Sequence, residues 1–161
     1  IRGYFAGGEG TGQAPSVQNQ NITIKGFANM SESLTFGELS AQSRDGAGVG
    51  SHTRGVFILG GIAASPEAFS NTIEFITLST SGEVTDFGDA TSNTGAIQNN
   101  SASNTIRGVY HNARTAPGGS VQNVIEFITI ATTGNATDFG DLNYSSRQGC
   151  GFSDSHGGLP L

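Results

Sequence analysis

The apolar positions of this chain come in short alternating runs rather than at helical spacing. Across residues 72–78, Ile73 and Phe75 fall on one side of an extended chain and Glu74 on the other. Residues 54–61 are rich in β-branched and aromatic side chains and stop at Gly60-Gly61. Ser81-Gly82 reads as a tight turn, residues 84–90 as the next strand and residues 94–103 as the last. No segment sustains a 3.6-residue period with helix caps, so the pattern predicts an all-β protein built of short antiparallel strands.

The pattern repeats. Residues 71–89 and 123–141 are identical at 13 of 19 positions, at an offset of 52. A second marker recurs three times, beginning at Arg2-Gly3, Arg54-Gly55 and Arg107-Gly108. A third recurs as Phe36-Gly37-Glu38, Phe87-Gly88-Asp89 and Phe139-Gly140-Asp141. Three units of about 52 residues therefore account for the chain, at 1–53, 54–106 and 107–161. The first diverges most, with Ile22-Thr23-Ile24 where the second has Ile73-Glu74-Phe75. Before Arg54 the chain alternates glycine with small residues (Gly46, Gly48, Gly50), and residues 147–153 do the same. Such a stretch weakens an ordinary strand but suits one where backbones crowd together, as around a central axis.

Composition narrows the classes. Only 12% of the 161 residues are charged while 25 are glycine, which disfavours a helical bundle. A net charge of −6 with no basic cluster is a poor match for nucleic acid. No apolar stretch reaches the length of a membrane-spanning helix. Cys150 is the one cysteine, so no intramolecular disulfide can form.

The order Arg44-x-Gly46-x-Gly48, Phe57, Gly60-Gly61, Asn71-x-x-Glu74-Phe75 and Phe87 resembles the kelch repeat of β-propellers, although Phe87 and Phe139 stand where that repeat usually has Trp. The strings Thr53-Arg54-Gly55-Val56-Phe57 with Gly60-Gly61, the run from Asn123 to Leu142, and Ser153-Asp154-Ser155-His156-Gly157-Gly158 are similar to a repeat of virion structural and fibre-like proteins from marine and cyanobacterial bacteriophages. That resemblance implies a non-enzymatic protein of a phage particle, on its surface, tail or fibre, working outside cells in host recognition. Other virion proteins would be its partners. A carbohydrate-binding, lectin-like propeller that takes host surface polysaccharide is the alternative; the chain has no Trp as a stacking platform and three Tyr.

In kelch-type order the chain opens on a second strand and closes on a first-strand motif. The expectation is therefore a ring of about six blades made head to tail by a homodimer, each copy completing its neighbour. A nine-bladed trimer and a longer polypeptide that supplies the missing parts stay open.

Motifs with apparent chemistry reduce to structure. Asp86-Phe87-Gly88 and Asp138-Phe139-Gly140 spell the kinase metal-binding triplet, yet they recur in register with a strand repeat and lack the companion motifs. The expected role of Phe36, Phe87 and Phe139 is to fill the core between blades. Gly8-x-Gly10-x-Gly12 precedes no helix and is read as a surface loop. His52, His111 and His156 are too scattered to form a zinc cluster with one Cys. Ser153 to His156 alternate faces on an extended chain and cannot form a triad among themselves. No catalytic residue, cofactor or metal is expected. Arg2, Arg54 and Arg107 are expected to bond carboxylates or carbonyls of the neighbouring blade, with Asp89, Asp141 and Glu38 as candidate partners. Arg54, Arg107, Asp154 and His156 are the candidate ligand-facing residues. Glu74 and Glu126 are read as solvated or edge-protecting charges. The loops at 9–15, 64–69 and 115–120 are the expected display surface.

Overall fold

The computed structural model describes residues 2–10, 17–28, 32–62, 68–80 and 82–154. The described residues form antiparallel β-sheets and contain no helix. The strands are β1 (Arg2–Ala6), β2 (Glu9–Gly10), β3 (Val17–Gly26), β4 (Leu34–Arg44), β5 (Ala47–Gly50), β6 (Arg54–Ile58), β7 (Gly61–Ile62), β8 (Ala68–Thr77), β9 (Thr85–Thr94), β10 (Ser101–Ser103), β11 (Arg107–His111), β12 (Val124–Thr129) and β13 (Thr137–Asp141). None of the sheets closes on itself.

Two segments form four-stranded antiparallel units with the same strand sequence. In one, β5 pairs β6, β6 pairs β8 and β8 pairs β9. In the other the order is β10-β11-β12-β13. The N-terminal segment has three strands in the matching order, β1-β3-β4. The short strand β7 joins β4 to β8, so the first and second units share one nine-stranded sheet. Residues 94–103, expected as the last strand of the second unit, divide instead. Strand β9 ends at Thr94, and β10 pairs with β11 of the following unit. The chain turns between them on Ala96, Gln98 and Asn99, all at positive φ.

The core lies between units, because each sheet is apolar on both faces. The register sets Val56 opposite Phe75 and Ile58 opposite Ile73. These side chains, with Phe87, cluster with Tyr110, Ile128, Ile130 and Ala136 of the third unit. From the other face of the second unit, Phe57, Ile76, Leu78 and Val84 meet Tyr4, Ile22, Ile24 and Phe36 of the first. A period of two thus alternately serves one neighbour and the other. Glycine allows the close approach between sheets. A Cβ on Gly37 would collide with the carbonyl oxygen of Gly82, and one on Gly88 would come 2.6 Å from the backbone of Gly134.

Candidate functional site

The recurring polar residues of this chain work between units. Glu126, on β12 between Ile125 and Phe127, is fully buried. Its Oε1 accepts the Thr91 hydroxyl at 2.6 Å and the Asn112 amide at 3.0 Å. Its Oε2 accepts the Tyr110 hydroxyl at 2.6 Å and the Thr91 main-chain amide at 3.1 Å. Thr91 belongs to the second unit and the other partners to the third. Glu74 is also buried and accepts the amide of Ser40, in the first unit, at 3.2 Å. These glutamates are not solvated charges, as their alternation with apolar neighbours suggested. The face opposite Ile73 and Phe75 is itself covered by the preceding unit, so a carboxylate there must collect donors rather than water. Burial, reinforced by the neighbouring Glu126 charge and hydrogen bond, pushes the Tyr110 hydroxyl far above the usual tyrosine range. It therefore remains a donor.

The arginines act on main chain. Arg2 Nη2 donates to the Leu78 carbonyl at 3.4 Å and Arg54 Nη1 to the Ile130 carbonyl at 3.1 Å, each in the following unit. Arg54 lies 4.4 Å above the Phe75 ring and Arg107 lies 4.9 Å above Phe127. Asp89 and Asp141 are exposed and, among the described residues, form no ion pair with these arginines. Glu38 accepts the Gln20 side chain at 2.6 Å instead. The Asp89 amide donates to the Asn135 side chain across the same joint. Phe36 and Phe87 are buried against Tyr4 and Phe75 in edge-to-face contacts. Phe139 makes the same contact with Phe127 but is 54% exposed. Asp154 is exposed, and His156 lies outside the described residues. Of the display loops, residues 11–15 and 64–67 also lie outside them, whereas 115–120 is described and mostly exposed.

Among the described residues, two faces are left uncovered. On the third unit these are the positions equivalent to Val56, Phe75 and Phe87, namely Val109, Phe127 and Phe139. Arg107 and Ile106 border them, both exposed. Gly140 matches Gly88 in its positive φ, yet a Cβ there would meet nothing within 4 Å. On the first unit, the face turned from the core presents Phe5, 62% exposed, and Phe27, 75% exposed, whose rings crowd Gly3.

A groove of about 370 Å³ opens between β1 and β5. Tyr4, Ala6 and Gly8 line one side and Gly46, Gly48 and Asn99 the other. In the second and third units the edges of β6 and β11 are taken by β5 and β10. Among the described residues no strand takes the corresponding edge of β1, which faces this groove. Among the described residues, no three His, Cys, Asp or Glu side chains are grouped so that they could hold a metal ion.

No protein-family model matches the chain, and no curated protein matches it.

Proposed function

We propose that this chain is a non-enzymatic structural and binding protein of a bacteriophage particle. In this reading its units are kelch-like propeller blades, three per chain, and a second copy extends them to a ring of about six. The observation that supports it most is the use of the recurring charged and aromatic residues. Arg2, Arg54, Glu74, Glu126, Phe36 and Phe87 are all engaged in unit-to-unit contact. Side chains engaged in this way stiffen a scaffold and leave its variable loops to make contacts. Residues 115–120 form one such loop, exposed at the rim of the third unit.

Mass spectrometry of purified virions tests the reading. Peptides of this chain should co-purify with the particle in stoichiometric amount. Their absence from virions would remove the particle assignment. Tight multivalent binding on a glycan array, by a chain absent from virions, would move the assignment to a polysaccharide-binding lectin.

A further inference from the structure

We infer that the groove beside β1 receives residues 149–153 of a second copy of this chain, paired antiparallel with β1. The inference rests on the blade reading and names the strand by which one copy completes the other.

The occupant is identified by its backbone and its sequence. Strand β5 follows Asp45 at φ 58°, and β10 lies just beyond Gln98 at φ 50°. Gln148 has φ 60° and stands at the same point before residues 149–153. Only a few percent of non-glycine residues adopt such angles, so their recurrence at one place in each unit marks a shared turn. The residues after Asp45 and after Gln148 are alike: Gly46-Ala47-Gly48-Val49-Gly50 in one case and Gly149-Cys150-Gly151-Phe152-Ser153 in the other.

The neighbours also correspond. The Ser101 and Ser103 hydroxyls of β10 donate to the Gly48 and Gly50 carbonyls of β5. The Ser153 hydroxyl in turn donates to the Ser103 carbonyl at 2.6 Å, and the Gly151 amide to the Asn99 carbonyl. Residues 149–153 therefore lie beside β10, where the next inner strand belongs. Strand β1 pairs β3 on one edge and, among the described residues, faces the groove with the other.

The filled units set the register. Gly48 faces Phe57, Val49 faces Val56 and Gly50 faces Gly55. Transferred to β1, Gly151 falls opposite Phe5, Phe152 opposite Tyr4 and Ser153 opposite Gly3. Cys150 falls opposite Ala6. The same placement brings the Phe127 and Phe139 face of one copy against the Phe5 and Phe27 face of the other. It sets Arg107 toward the Phe27 carbonyl, the counterpart of Leu78 and Ile130. One tie cannot recur, because Thr23 occupies the position of Glu74 and Glu126. The joint between copies thus rests on strand pairing and apolar contact, a form of β-augmentation, without a buried carboxylate.

The single native cysteine supplies the test. Directly opposed residues on antiparallel strands have Cβ atoms roughly 4.5–5.5 Å apart, close enough for a disulfide after a small adjustment. In the full-length Ala6→Cys chain, mild oxidation should link positions 6 and 150 of different copies, giving a covalent species of twice the 16.5 kDa chain mass. A Thr85→Cys control, on a strand far from the groove, should not link to position 150. Because the cysteine variant could misfold, Phe152→Pro is the second arm. Its counterpart Val49 lies two residues from Ser51, whose amide bonds Arg54, so the amide at this position points at the facing strand, whereas that of Gly151 is turned to Asn99. The substitution removes that amide in an exposed segment and should raise the dimer dissociation constant at least tenfold by light scattering, with the circular dichroism spectrum retained. A 6–150 bond at monomer mass, cross-linking no faster than the control, or an unchanged dimer in Phe152→Pro would overturn the inference. Failure of the particle assignment shows separately, as missing peptides in virions.

Discussion

The carboxylate of Glu126 holds both the hydroxyl and the main-chain amide of Thr91, a residue of the neighbouring sheet unit, at 2.6 and 3.1 Å. With Tyr110 and Asn112 it makes four hydrogen bonds in a site without water access. Hydrogen bonds to a charged group contribute about 1.5–3 kcal/mol each, and donors left unmet in the interior cost about as much again. Glu126→Ala should therefore destabilise the fold by about 3 kcal/mol or more. Glu126→Gln, which keeps an acceptor, should cost about 1–2 kcal/mol. Glu74→Gln should cost less than Glu126→Gln, since Glu74 takes one amide across its joint. Chemical denaturation of the three variants gives the order.

Gly88 and Gly140 share a motif and a positive φ but not an environment. The Gly134 backbone abuts Gly88, while the space around Gly140 is open. An alanine at Gly88 meets both a left-handed backbone and a collision, and should cost about 2–3 kcal/mol. At Gly140 only the backbone term applies, about 1 kcal/mol in the isolated chain. The thermal midpoints of the two alanine variants separate these effects. Equal losses would mean that close approach between units does not limit residue choice at this motif.

Arg54 and Arg107 give a second matched pair. Arg54→Ala loses the ring contact with Phe75 and the bond to the Ile130 carbonyl, and should cost about 2 kcal/mol. Arg107 is exposed above Phe127, and its alanine variant should change the stability of one copy by no more than about 0.5 kcal/mol. It should instead weaken association between copies, as measured by dilution in analytical ultracentrifugation.

His111 makes stability depend on pH. Its ring is buried, with Nδ1 3.0 Å from the Asn100 amide nitrogen and Nε2 3.1 Å from the Gln122 carbonyl. The amide donates to Nδ1 and Nε2–H donates to the carbonyl, so the neutral ring satisfies both partners. Burial lowers its pKa below the ordinary 6.5, outweighing the Gln122 hydrogen bond. The unfolded chain then takes up the proton first. The contribution of the neutral ring is complete above pH 6.5 and is lost as pH falls through the lowered folded value. The thermal midpoint should drop on acidification through this window, and in His111→Asn this part of the drop should vanish.

The alternation of Ile73, Glu74 and Phe75 was enough to read antiparallel strands, and the turn signal of the string Ser-Gly in the sequence after residue 80 was enough to expect the pairing of β8 with β9. The division of residues 94–103 was not legible, because the positive-φ positions of the turn are Ala96, Gln98 and Asn99, while the one glycine beside them, Gly95, does not take that conformation. Nor was the burial of Glu74 and Glu126. On a sheet with one wet face, a charge between apolar residues points to solvent. Here the preceding unit covers the face that carries each glutamate, and one local string does not distinguish the two cases. The available signal was the recurrence of Glu inside the identical string Ile-Glu-Phe-Ile-Thr. The recurrence of the arginines was enough to expect carboxylates or carbonyls of a neighbouring unit as acceptors, and Arg2 and Arg54 take carbonyls; that Asp89, Asp141 and Glu38 are not the partners was hidden, since a carbonyl acceptor leaves no mark in composition.

Native mass spectrometry of the 161-residue chain is the sharpest check that the unit-to-unit contact set continues from one copy to the next. A dominant species of twice the 16.5 kDa chain mass should persist on dilution to low micromolar concentration. A species at the single-chain mass at every concentration would refute that continuation.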